Sequence, residues 1–175
     1  MDEDGRIRFI GHATASVEIT GEALRRLRFN NAEVRLAQTI VRHHMRPMLL
    51  AMQEKVSSRA VYRFFRDTGE AGVDVLLHAL ADNRAKGAVG TVDDAWSRLV
   101  SLTARMLDDY YERPEARIDP PLLLNGNDLM REFDLQPGPQ IGDLLELVRE
   151  AQVSGEVCTC EQALVLVRSH VTGQE

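Results

Sequence analysis

Two adjacent histidines, His43-His44, close an amphipathic run that begins near Asn31, with His12 upstream and Asp82 downstream. Imidazole and carboxylate together suit iron, manganese or zinc, and several such groups converging on an apolar helical face are costly to bury without a partner. A metal ion held there would activate a water for attack on a phosphoester. The competing reading makes His12, His43 and His44 single core or boundary histidines, each bonded to a backbone carbonyl, and composition alone favours it. His78 and His170 have no partner in the pattern. Cys158 and Cys160 are too few and too close together for a disulfide framework and read as free thiols, in keeping with a reducing compartment.

A second group of residues suggests a different chemistry. The net charge of -6 argues weakly against nucleic acid, yet it is unevenly spread. Residues 1–90 hold 14 Lys+Arg against 11 Asp+Glu, net +3, whereas residues 91–175 hold 7 against 16, net -9. Between residues 25 and 66, ten basic side chains face two acidic ones, Glu33 and Glu54. Such a stretch attracts phosphate, although runs of arginine on helices are often only solvated faces. Aromatic content of 5% leaves little for a base-stacking platform, and Phe64, Phe65 and Trp96 fall at spacings that suit a core.

These residues need elements to carry them, and the periodicity is helical throughout. We expect an all-α fold. A first helix is predicted from about His12 to Phe29, with Val17, Ala23, Leu24 and Leu27 on its apolar side. Asn30-Asn31 offers an N-cap to a second helix with Glu33 in its first turn, which Arg46-Pro47 ends; both histidines continue its core face. Ser57-Ser58 caps a third that Gly69 closes, and Glu70 to Lys86 forms a fourth with Val73, Leu76, Leu77 and Leu80 inward. Gly87 and Gly90 mark a break before a fifth helix, Val92 to about Glu112, carrying Leu99, Leu102, Met106 and Tyr110. Residues 1–112 then read as a helical body, 113–121 as a linker, and 122–175 as a small helical tail. Within that tail we expect a short helix over Gly126 to Phe133 and another starting at Gly138-Pro139. Thr159 with Gln162 makes a capping box for the last. No apolar stretch is long enough to span a membrane, and the first ten residues are charged rather than leader-like, so we expect a soluble, cytoplasmic protein with no membrane partner.

Several of these segments together resemble one family. They are Gly5-Arg-Ile-Arg-Phe-Ile-Gly-His12, Leu27-Arg-Phe-Asn-Asn31, Val41-Arg-His-His-Met-Arg-Pro47, Arg63-Phe-Phe-Arg-Asp-Thr-Gly69 and Ala81-Asp82. In this order the chain resembles the HD-type domain of bacterial tRNA nucleotidyltransferase and poly(A) polymerase proteins. Leu123-Leu-Asn-Gly-Asn-Asp-Leu-Met130, Pro137-Gly-Pro-Gln-Ile-Gly142 and Glu150-Ala-Gln-Val-Ser-Gly-Glu156 resemble that family's C-terminal tail. The resemblance covers about Gly5 to His170.

It implies an HD-like bundle, incomplete at its N-terminal side, followed by the tail. Proteins of this kind begin with a nucleotidyltransferase head that contains a Gly-rich turn and an Asp-x-Asp pair that holds magnesium. Asp2 and Asp4 spell Asp-x-Asp, but no glycine-rich turn precedes them and we read them as a charged tail. His12 corresponds to a later lone histidine of the HD set, His43-His44 to its doublet and Asp82 to its closing aspartate. The early His and the His-Asp pair would lie upstream of Gly5. The metal set is therefore incomplete, and a divalent ion (Mg, Mn, Fe or Zn) is expected only in a full-length parent. The implied function is RNA 3′-end processing, with this chain as the tRNA-binding region that lacks the catalytic head. Arg42, Arg46, Arg59, Arg63 and Arg66 would bind phosphates, as would the helix start at Gly138. Two alternatives stand beside it. One is a divergent HD phosphohydrolase acting on nucleotides or phosphoesters. The other is a helical interaction module, pairing with the head or forming a homodimer through exposed core surface.

Overall fold

Short-range capping chemistry fixes most of the helix starts. The computed structural model describes residues 12–86 and 94–172, apart from the side chains of residues 12–14. The segment Gly5 to Gly11, the Asp2/Asp4 pair, Val92 and the break at Gly87 and Gly90 lie outside them.

Helix α1 (His12–Arg26) ends in a turn where Leu27 N–H donates to the Ala23 carbonyl and Phe29 N–H to that of Leu24. Arg28 sits there at φ +63°, a left-handed conformation that costs an ordinary residue about 1 kcal/mol. The helix thus stops three residues short of the predicted Phe29, leaving Leu27 exposed beyond its end. Asn30 then starts α2 (Asn31–His43) as the N-cap, and with Glu33 it forms a full capping box: its side chain accepts from Ala32 and Glu33 N–H, and Glu33 accepts from Asn30 N–H. Pro47 has a double role. It ends α2 as predicted, and it also begins α3 (Arg46–Ala51), where its missing N–H has no helical partner to lose.

Ser57 caps α4 (Ser58–Thr68) by accepting from Ala60 N–H at 3.2 Å, and Gly69 closes it at φ +53°. A single 3₁₀ turn, Gly69–Ala71, leads into α5 (Gly72–Lys86). The predicted inward face of α5 needs correction: Gly72, Val75, Leu76 and Ala79 are buried, Val73 and Leu80 are half-buried, and Leu77 is exposed. The run Val-Asp-Val-Leu-Leu-His-Ala-Leu is apolar on most sides, so periodicity cannot choose its face.

Helix α6 (Asp94–Glu112) buries Leu99, Leu102 and Met106. Trp96, expected in the core, is only half-buried, with the Arg84 guanidinium carbon 5.7 Å from its ring centroid. The segment read as a linker contains α7 (Pro114–Arg117) and is tied down: Arg117 Nη1 donates to Ser58 Oγ at 2.6 Å, and Gln152 Nε2 to the Pro121 carbonyl at 2.9 Å. Then come α8 (Gly126–Phe133), α9 (Pro139–Ser154) and α10 (Cys160–Thr172), where the Thr159/Gln162 capping box forms as the sequence implies.

The fold is all-α, with no strand among the described residues. None of its helices is long and apolar enough to cross a membrane, again among the described residues. Contacts divide the chain into two units. The first takes residues 1–54 and 67–105, with α1 and α2 as an antiparallel hairpin and with Val34, Val75, Leu76 and Leu99 among its buried side chains. The second takes residues 55–66 and 106–175, and α8, α9 and α10 enclose Leu129, Leu144, Val148, Ala163 and Val167. The two units interleave along the sequence, with residues 55–66 in the second, so no single break divides the chain.

Candidate nucleic-acid interface

The histidines settle into local partnerships. His44 Nδ1 lies 2.7 Å from the Val41 carbonyl, and its ring meets that of His78 edge-on at 5.9 Å. This is the backbone-bonded arrangement that competed with metal binding. Burial holds His43 below its usual pKa, and the nearby Arg46 and Arg42 add to this while Asp67 opposes it. Asp82 pairs with Lys86 one turn on, at 2.6 Å. Among the described residues no three His, Cys, Asp or Glu side chains group closely enough to hold a metal ion. His43, His44 and Asp82 by themselves therefore do not fit one; the His12 side chain lies outside the described residues. Cys158 and Cys160 are free and exposed, as read from the sequence.

The arginines of α4 are the better-defined cluster. Arg59, Arg63 and Arg66 are spaced i, i+4 and i+7, so they form one stripe along the helix. Each meets a carboxylate of the same unit. Arg59 Nη2 bonds Glu156 Oε2 at 2.6 Å while its Nε reaches the Glu150 carbonyl at 3.3 Å. Arg63 forks onto both oxygens of Glu150, at 2.5 Å each, and Arg66 bonds Glu146. Tyr62, buried beside them, donates its hydroxyl to Glu146 at 3.0 Å. Burial and the Glu146 charge push its pKa up to about 12. Residues 59, 63 and 66 thus pair in reverse order with 156, 150 and 146. Glu146 and Glu150 were not singled out from the sequence. Their i, i+4 spacing was visible, but nothing local says which helix they face.

The Arg63 fork holds Glu150 below the usual carboxylate range. A depressed carboxyl pKa contributes stability above its unfolded value and loses it as pH falls through the folded one. Glu150→Gln is expected to cost about 1–2 kcal/mol near neutral pH, discounted because Arg63 is half-exposed, and to flatten the acid limb of the stability curve. Urea midpoints from neutral pH to below 4.5, the ordinary glutamate value, check both effects.

The remaining candidates are scattered. Arg46 bonds Asp67 at 2.7 Å. Arg42 is exposed on α2, and its side chain pairs with no described residue. Gly138 is exposed directly before α9, whose start has no side-chain cap; Pro139 has no N–H and the Ile141 N–H donates to the Gly138 carbonyl at 3.1 Å, which leaves the Gln140 N–H to meet an anion.

A family described as tRNA nucleotidyltransferase domain 2 matches residues 9–167. The chain is 33% identical over 168 residues to the A-adding tRNA nucleotidyltransferase of Deinococcus radiodurans, covering 95% of this chain and 36% of that protein. It is 33% identical over 161 residues to the CC-adding tRNA nucleotidyltransferase of Thermus thermophilus, covering 92% and 33%. With the CC-adding enzyme of Synechocystis it shares 26% identity over 150 residues, covering 86% and 33%. The chain spans about a third of the length of these curated relatives. No solved structure matches it.

Proposed function

The chain belongs to the tRNA nucleotidyltransferase family, and from that premise we propose that it is the helical region that grips tRNA while a separate catalytic head adds nucleotides at the 3′ end. The observation that carries this reading is that nearly the whole chain aligns equally well with an A-adding and a CC-adding relative. A region common to enzymes that add different nucleotides fits the shared task of holding the acceptor RNA. It fits choosing the incoming base less well.

Phosphate contacts would come from Arg42, Arg46, Arg59, Arg63 and Arg66, with the Gln140 N–H at the helix start after Gly138, by charge rather than by reading bases. A divalent ion on the HD-type residues His12, His43, His44 and Asp82 would require donors from beyond this chain, and no step here passes through it. Binding of a fluorescently labelled tRNA transcript tests the reading. With four to five phosphate contacts, affinity is expected to fall about a hundredfold between 50 and 200 mM salt. Undetectable binding at low salt would overturn it.

One set of observations favours a second reading, a module that packs on another protein body. Ile19, Leu49 and Met52 of the first unit stand 65%, 56% and 69% exposed. Concentration-dependent sedimentation of the chain, alone and with a family head domain, separates a homodimer from a head contact.

A further inference from the structure

We propose that the main phosphate-binding surface of this chain is a strip on the α1–α2 hairpin formed by Arg25, Arg35 and Arg42, which takes the backbone of an RNA. The inference rests on the tRNA-binding reading and relocates its principal contacts.

Three observations support it. Arg59, Arg63 and Arg66 already meet carboxylates, so a phosphate arriving there must displace one and gains only the difference between the two anions. Arg25, Arg35 and Arg42, by contrast, are exposed, and their side chains pair with no described residue. They also share one surface. On α2, Arg35, Gln38 and Arg42 are spaced i, i+3 and i+7, one row with its two arginines about 10 Å apart along the axis and no acidic residue in it.

Arg25 joins this row from the other helix by way of a glycine. A Cβ placed on Gly21 would lie 2.4 Å from Gln38 Nε2 and 3.1 Å from Arg25 Nη1, so both head groups converge over the bare backbone of α1. Gln38 is held there by donating to the Val17 carbonyl at 3.0 Å. Glu33, the acid of α2, is engaged with the Asn30 N–H at 2.8 Å, which leaves Glu18 and Glu22 of α1 as the hairpin's opposing charges. Guanidinium forks match phosphate oxygens in pairs. The hairpin turn also exposes Phe29, 45% accessible, a ring on which an unpaired base can stack. Charge with an exposed ring favours RNA over an acidic protein.

The test compares tRNA binding by the full chain, by R25Q/R35Q/R42Q and by R59Q/R63Q/R66Q. The hairpin variant is expected to bind about tenfold or more weakly and to lower the log–log salt slope by about two to three. R25K/R35K/R42K, which keeps the charge, is expected to retain most of the affinity, and melting temperatures should stay close to that of the unaltered chain because all three positions are exposed. A hairpin variant that binds like the unaltered chain would overturn the inference while leaving tRNA binding intact. Failure of the unaltered chain to bind would overturn both. Equal affinity for poly-glutamate would overturn the choice of RNA as the occupant.

Discussion

Phe64→Ala is expected to destabilise the chain by about 3–5 kcal/mol, the range for removing a fully buried aromatic ring. Phe64 has 0% exposure. Its ring meets Phe65 edge-on at 5.1 Å, and Phe65 in turn stacks on Tyr110 at 5.1 Å. Truncation removes the buried area and the edge-to-face contact together, and a close-packed interior relaxes only partly into the space left. The readout is the urea midpoint followed by circular dichroism. A loss under about 1 kcal/mol would mean that α4 is not packed as described.

Leu76→Ala is expected to cost about 2–5 kcal/mol, with Leu77→Ala as its internal control at about 0.5 kcal/mol or less. The adjacent leucines have the same side chain and the same helix propensity. What separates them is tertiary: Leu76 is 0% exposed and Leu77 is 50% exposed. Equal costs at the two positions would show that α5 is rotated from the face described here. The sequence reading placed both inward, so this pair tests the point at which periodicity failed.

That failure has a physical cause. A helix whose apolar residues cover more than half its circumference has no single hydrophobic direction, and the neighbour it packs against chooses one. Helix α9 behaves better: Ile141, Leu144, Leu145 and Val148 were predicted inward, and all four are buried or half-buried in the second unit. Trp96 shows the opposite outcome, since helical spacing made it a core candidate but Arg84 covers its ring at the surface.

The candidate site was legible in part. The arginine stripe of α4 follows from spacing alone, whereas the family resemblance rests on particular segments and their order along the chain. The stripe's carboxylate partners do not follow from spacing, since Arg63 and Glu150 are 87 positions apart. Freeing those arginines is what an RNA phosphate would have to do, whereas Arg25, Arg35 and Arg42 pair with no described residue.

From the sequence alone come the all-α class, the family, and the helix starts at Asn30, Ser57 and Thr159, because capping pairs side chains with backbone N–H groups two or three residues away. Only the tertiary structure decides which arginines are neutralised and which side of α5 is buried. Those outcomes depend on which helices are brought face to face, and a charge or an apolar side chain carries no record of its distant partner.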